Sequence, residues 1–127
     1  MSLFKFGNLE MEIDFTDVDV AKSLEDAAEI LNEEVKKLPL TGKNSEVIRA
    51  QNVCYDHYFD HIFGQGASEK MFQTGSFSQR LEAVKLFADL KFQSDHELSE
   101  KLSSYRVNKA GNRQQRRNYE RQHRNRP

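Results

Sequence analysis

Apolar and acidic residues alternate along Leu9-Glu10-Met11-Glu12-Ile13-Asp14-Phe15, and a shorter run, Leu3-Phe4-Lys5-Phe6, precedes them across Gly7-Asn8. Period two on both sides of a two-residue link predicts a β-hairpin with Leu9, Met11, Ile13 and Phe15 turned inward. A lone hairpin is marginal in water, so that face must lie on helices or pair with a strand from another copy. Beyond Phe15 the spacing changes to three and four. Thr16 followed by Asp17 and Asp19 supplies a helix cap and two carboxylates for the positive helix end. Leu24, Leu31 and Leu38, with Ala28 and Val35 between them, predict a core-facing stripe running to about Leu38.

Pro39 to Lys43 reads as a connector. A second helix is predicted from a cap at Asn44 or Ser45 through Val47, Ile48, Gln51, Cys54, Tyr55, Tyr58, Phe59, Ile62 and Phe63. Gly64 is placed to close it in a left-handed conformation, and Gly66 to reverse the chain. Ala67 to Phe72 predicts one short helical stretch. Ser76-Phe77-Ser78-Gln79 is a capping box for a further helix, whose Leu81, Val84, Leu86, Phe87, Ala88, Leu90 and Phe92 cover more than one stripe. Such a helix is either central or partly reserved for another chain. Ser94-Asp95-His96-Glu97 is a second capping box and predicts a break before Leu98, Leu102 and Tyr105.

Charge then divides the chain. Residues 106–127 carry eight Lys or Arg and one acid, whereas residues 1–105 carry eleven bases and nineteen acids, a segregation concealed by the net charge of −1. With almost no aliphatic side chains, residues 106–127 predict a basic, flexible arm, beginning in earnest at Gly111. The expected fold is mainly α (α+β): a short N-terminal β-hairpin, then a compact bundle of about four helices in residues 1–105, then the arm. No Trp, nine Phe and four Tyr make the core lean on phenylalanine. A small domain buries a modest share of its surface, so several rings are expected to stay near the surface until a partner covers them.

Little in the sequence points to catalysis. Cys54, His57 and His61 fall near one edge of the second helix, but no second cysteine or histidine cluster completes a closed site, so no metal is expected. Asp56 and Asp60 read as solvating carboxylates rather than an acid–base pair. With no phosphate-cradling loop and no nucleophile elbow, a non-enzyme without cofactors is expected. The single cysteine, and an opening Met-Ser-Leu-Phe-Lys that lacks a signal peptide's apolar core, suit a reducing cytoplasm, and no run is long and apolar enough to span a bilayer.

The stretch Tyr55-Asp56-His57-Tyr58-Phe59-Asp60-His61-Ile62-Phe63-Gly64-Gln65-Gly66-Ala67-Ser68-Glu69-Lys70-Met71-Phe72 resembles the aromatic-rich helix, Phe-Gly-x-Gly turn and Lys-hydrophobic-Phe segment of small tail proteins in phages and prophages of Gram-positive bacteria. Ile13-Asp14-Phe15-Thr16-Asp17-Val18-Asp19 is similar to the start of the same proteins, and an arginine-rich end is typical of them. The resemblance is to tail assembly chaperones of long-tailed phages. It implies a non-catalytic protein of the host bacterial cytoplasm, absent from the mature virion. Such a protein coats the tape-measure protein, self-associates into an oligomer or spiral, and meets tail tube protein through a longer frameshifted form.

On physical grounds the partner surface is expected around Phe59, Phe63, Phe72, Phe77, Phe87 and Leu90. The basic arm, with Arg113, Arg116, Arg117, Arg121, Arg124 and Arg126, is expected to meet acidic faces of neighbours or of the partner. Two other functions fit the same chain. A nucleic-acid-binding phage regulator would act through that arm with strongly salt-dependent affinity. A phage inhibitor or trigger of a host defence enzyme would use the acidic body as a mimic of nucleic acid.

Overall fold

The computed structural model describes the backbone of residues 1–124 and the side chains of residues 1–105. The six basic residues named above, Arg113 to Arg126, therefore lie outside the described side chains. Two antiparallel strands, β1 (Ser2–Phe6) and β2 (Leu9–Ile13), are followed by α1 (Val18–Lys36), α2 (Asn44–Phe63), α3 (Ala67–Met71) and α4 (Phe77–Arg124). The hairpin and helices of the mainly α fold are thus as expected. Contacts divide the chain into two units, Met1–Lys91 and Phe92–Pro127.

In the first unit Phe4 pairs with Met11 and Phe6 with Leu9, while the other face opposes Lys5 to Glu10 and Leu3 to Glu12. Phe4, Leu9, Ile13 and Phe15 are buried, but Met11 is exposed. Helices cover the hairpin's inner face, which resolves the choice between helices and a strand from another copy. The joint is tight at Gly7, where φ is +57° and Asn8 N–H donates to the Lys70 carbonyl at 2.8 Å. A Cβ on Gly7 would fall inside contact distance of the Met71 carbonyl oxygen. Gly7→Ala combines a left-handed residue with a clash against backbone, and about 2–3 kcal/mol of destabilisation is expected in thermal unfolding.

Helix starts differ from the sequence reading in instructive ways. Thr16 donates its hydroxyl to Asp14 Oδ1 at 2.6 Å and is spent on that turn, so Asp17 caps α1 instead, accepting from Asp19 N–H at 2.8 Å. The buried stripe of α1 runs through half-buried Val20, Leu24 and Leu31 with fully enclosed Ala27, whereas Ala28 and Val35 are exposed. The cap of α2 is Lys43, without a side-chain hydrogen bond, and Asn44 is the first helical residue.

Gly64 closes α2 with its N–H donating to the Asp60 carbonyl at 2.9 Å, but at φ +106°, ψ 161° it is not in the left-handed conformation expected; Gly66, at φ +86°, ψ −1°, takes that conformation and opens α3. At the start of α4, Gln79 accepts the Thr74 hydroxyl at 3.1 Å.

The second unit is helical through Arg124, without the break expected at Ser94. No glycine or proline interrupts residues 92–105, and a His96–Glu100 contact of 3.1 Å one turn apart suits continuous helix, so a capping-box sequence there does not begin a new element.

Candidate functional site

Of the six residues expected to carry a partner surface, five belong to the core of the first unit, and Phe77 lies outside it. Phe59, Phe72 and Phe87 are buried, and Phe63, Phe77 and Leu90 are half-buried. Phe4 organises them, stacking on Phe63 with ring centres 4.9 Å apart and meeting Phe87 edge-on at 5.5 Å. Phe59 and Phe72 meet at 5.8 Å, and Phe77 lies 5.4 Å from Tyr55. Eight of the nine phenylalanines are buried or half-buried, so the expected surplus of ring surface in the first unit is corrected: the hairpin contributes Phe4, Phe6 and Phe15 to the same core and satisfies it.

Exposed apolar side chains occur in both units: Leu40 and Val18 are 99% and 78% exposed in the first, and others lie along the helix of the second. Phe92 is 74% exposed, and Leu98, Leu102 and Tyr105 are exposed at i, i+4 and i+7, which puts these three on one face of the helix. Ser99, Glu100 and Lys101 separate Leu98 from Leu102 with polar residues, so the stripe is narrow, like a single coiled-coil seam.

Polar side chains around α2 have structural partners that the sequence did not reveal. Asp56 accepts from Arg80 Nε at 3.1 Å and Nη2 at 3.3 Å, while Arg80 Nη1 donates to the carbonyls of Thr74 at 2.6 Å and Ser76 at 3.0 Å. The guanidinium stands 4.3 Å from the centre of the Phe72 ring. Asp60 accepts the Ser68 N–H at 2.8 Å and fastens the start of α3. Both carboxylates therefore hold the fold, a correction of their reading as solvating residues.

Between α1 and α2 lies a cavity of about 540 Å³ lined by Ile30, Glu34, His57, Asp60, His61 and Gln65. His57 Nδ1 is 3.0 Å from Glu34 Oε1, a contact that ties the two helices. Cys54 is 5% exposed, and burial, followed by the nearby Glu34 carboxylate, pushes its thiol pKa up. A raised thiol is a poor nucleophile, and modification by a thiol reagent should be at least about a hundredfold slower in the native protein than in urea. Comparable rates in the two states would contradict this placement. Among the described residues, no group of three or more His, Cys, Asp or Glu is arranged to hold a metal ion.

No curated protein and no solved structure matches the chain. A family model does, over residues 7–120, a span that takes in the hairpin turn, the aromatic helix, the exposed stripe and most of the arginine-rich segment. The chain therefore belongs to a family of unknown function, DUF6673.

Proposed function

We propose that this protein is a tail assembly chaperone: a non-catalytic protein that coats the tape-measure protein of a long-tailed phage in the host cytoplasm while the tail tube assembles. The observation that carries this reading is the exposed stripe of Leu98, Leu102 and Tyr105 on the helix of the second unit. A narrow seam at heptad-like spacing suits docking against another long helix, and a tape-measure protein is a long helical client. One such contact is weak. Many copies along one client add through avidity while each stays removable as the tube advances. Further support comes from the resemblance of residues 55–72 to small tail proteins. Among the described residues no helix is long and apolar enough to cross a membrane.

The test is coexpression with the tape-measure protein of a long-tailed phage. A soluble complex that copurifies is expected, and the double change Leu98→Asp with Leu102→Asp should weaken client retention by about tenfold or more, because two apolar contacts in a short seam are replaced by charges. The melting temperature should hardly move, since both leucines are exposed. A chain that stays monomeric at high concentration and leaves the client insoluble overturns the proposal. The rival reading, RNA or DNA binding through the arginine-rich segment, is supported if binding falls steeply with salt and vanishes on truncation at Asn112.

A further inference from the structure

The cavity between α1 and α2 holds more acceptor capacity than its own walls satisfy. Ile30 and Glu34 line it from α1, His57, Asp60 and His61 from α2, and Gln65 from the turn that follows. Both carboxylate oxygens of Glu34 face the single nitrogen Nδ1 of His57, at 3.0 and 3.2 Å. A neutral imidazole supplies at most one N–H there, whereas a carboxylate offers about four acceptor positions and a full negative charge. Half-buried Asp60 has the same surplus: its Oδ1 accepts the Ser68 N–H, and among the described residues its Oδ2 meets no donor.

The helix that forms one wall repeats the imbalance. Six acids on α1, Asp19, Glu25, Asp26, Glu29, Glu33 and Glu34, stand against Lys22 and Lys36, a net charge of −4. Glu25, Glu29 and Glu33 are exposed at spacings of four, where like charges repel one another. The matching charge lies in this same chain. Residues 106–127 carry eight Lys or Arg and one acid, and six of those eight are arginines from Arg113 onward. Arginine suits the cavity better than lysine. Its planar fork meets two carboxylate oxygens at once, its flat face stacks on an aromatic ring, and its aliphatic stem fits against Ile30, which is 41% exposed.

We infer that the cavity between α1 and α2 takes an arginine side chain from residues 113–126 of a second copy of this chain. The guanidinium lies between Glu34 and Asp60 against the His57 and His61 rings, and the basic segment around it crosses the acidic face of α1. Every copy carries one such cavity and one such segment, so the contact is head to tail: each copy offers its segment to one neighbour and its cavity to another. The inference goes beyond the proposed chaperone activity and does not need it, because neither the seam of the second unit nor a client takes part.

Two chains that each lack one half of the contact test it. The first keeps the cavity and has all six arginines, Arg113, Arg116, Arg117, Arg121, Arg124 and Arg126, changed to glutamine. The second keeps the arginines and carries Glu34→Gln with Asp60→Asn. When the second is titrated, unlabelled, into the first, the ring protons of His57 and His61 should show saturable NMR shifts, with a dissociation constant on the order of 0.1 mM. The observed chain has an unaltered first unit, so silent histidines are not a folding defect. Changing the six arginines of the titrant to lysine keeps the charge but loses the fork, and should weaken binding about tenfold. Adding Leu98→Asp with Leu102→Asp should leave the shifts in place, so loss of client retention and loss of this contact are read separately. Three results overturn the inference: histidine peaks that stay still, equal binding of the arginine and lysine titrants, or shifts in the parent protein that do not depend on its concentration, which place the segment in its own chain's cavity.

Discussion

Replacing Arg80 with methionine is expected to destabilise the protein by about 3 kcal/mol, which for a unit of this size lowers the melting temperature by roughly 12–24 °C. Arg80 is 6% exposed, and its guanidinium serves the Asp56 carboxylate, two loop carbonyls and the Phe72 ring at once. Methionine keeps the stem's packing but leaves the Thr74 and Ser76 carbonyls without their donor. Breaking a fully buried pair reaches 3–5 kcal/mol, and the lower end applies because the Asp56 side chain is 28% exposed and regains some water.

Two companion variants separate the causes. Arg80→Lys keeps the charge but cannot fork onto a carboxylate and a pair of carbonyls together, so it should recover less than half of the loss. Arg80→Met combined with Asp56→Leu removes both charges and should recover part of the remainder. If Arg80→Met lies within about 1 kcal/mol of the parent protein, the guanidinium does not hold the 74–76 loop to α2 as described.

Why this node escaped the sequence while the elements did not is a matter of range. The hairpin, the glycine stops at Gly64 and Gly66 and the short α3 are written in local spacing and backbone freedom, which a single strand of residues displays. Arg80 lies on the same helical stripe as Ala83 and Phe87, and a cation at a core-facing position was a legible sign that a carboxylate must come from elsewhere. Which carboxylate could not be read, because Asp56 is 24 residues away and only packing of α2 against the start of α4 brings it near.

The caps failed for a related reason. Thr16 and Asp17 both suit an N-cap, and the choice turned on a hydrogen bond of Thr16 backward to Asp14. A capping box at Ser94 states a preference that a continuing helix overrides when no glycine or proline enforces it.

The candidate surface was misplaced because periodicity says that a residue is apolar, not what covers it. Phe59, Phe72 and Phe87 look like surplus only until Phe4, Phe6 and Phe15 of the hairpin region are counted against them. In the second unit the opposite holds: Leu98, Leu102 and Tyr105 are few, yet exposed and on one face of the helix. On the proposed docking reading, the candidate surface therefore shifts from the most aromatic stretch to a plainer helix.

That shift makes Phe59 a sharp discriminator. Phe59→Ala is expected to destabilise by about 3–5 kcal/mol, since a fully enclosed ring contacting Phe4, Tyr58, Phe63 and Phe72 is replaced by a cavity that its neighbours cannot wholly fill. Phe59→Leu retains most of the volume and should stay within about 1.5 kcal/mol. In a client-binding assay the two mechanisms separate by temperature. Well below its own melting point, Phe59→Ala should retain the client, because it leaves the Leu98–Leu102–Tyr105 seam untouched, and it should lose the client only as the first unit unfolds. Leu98→Asp with Leu102→Asp should lose it at every temperature. If instead folded Phe59→Ala fails to hold the client while the double aspartate variant holds it fully, the docking surface lies in the aromatic core region after all, and the seam on the second unit's helix is not the contact.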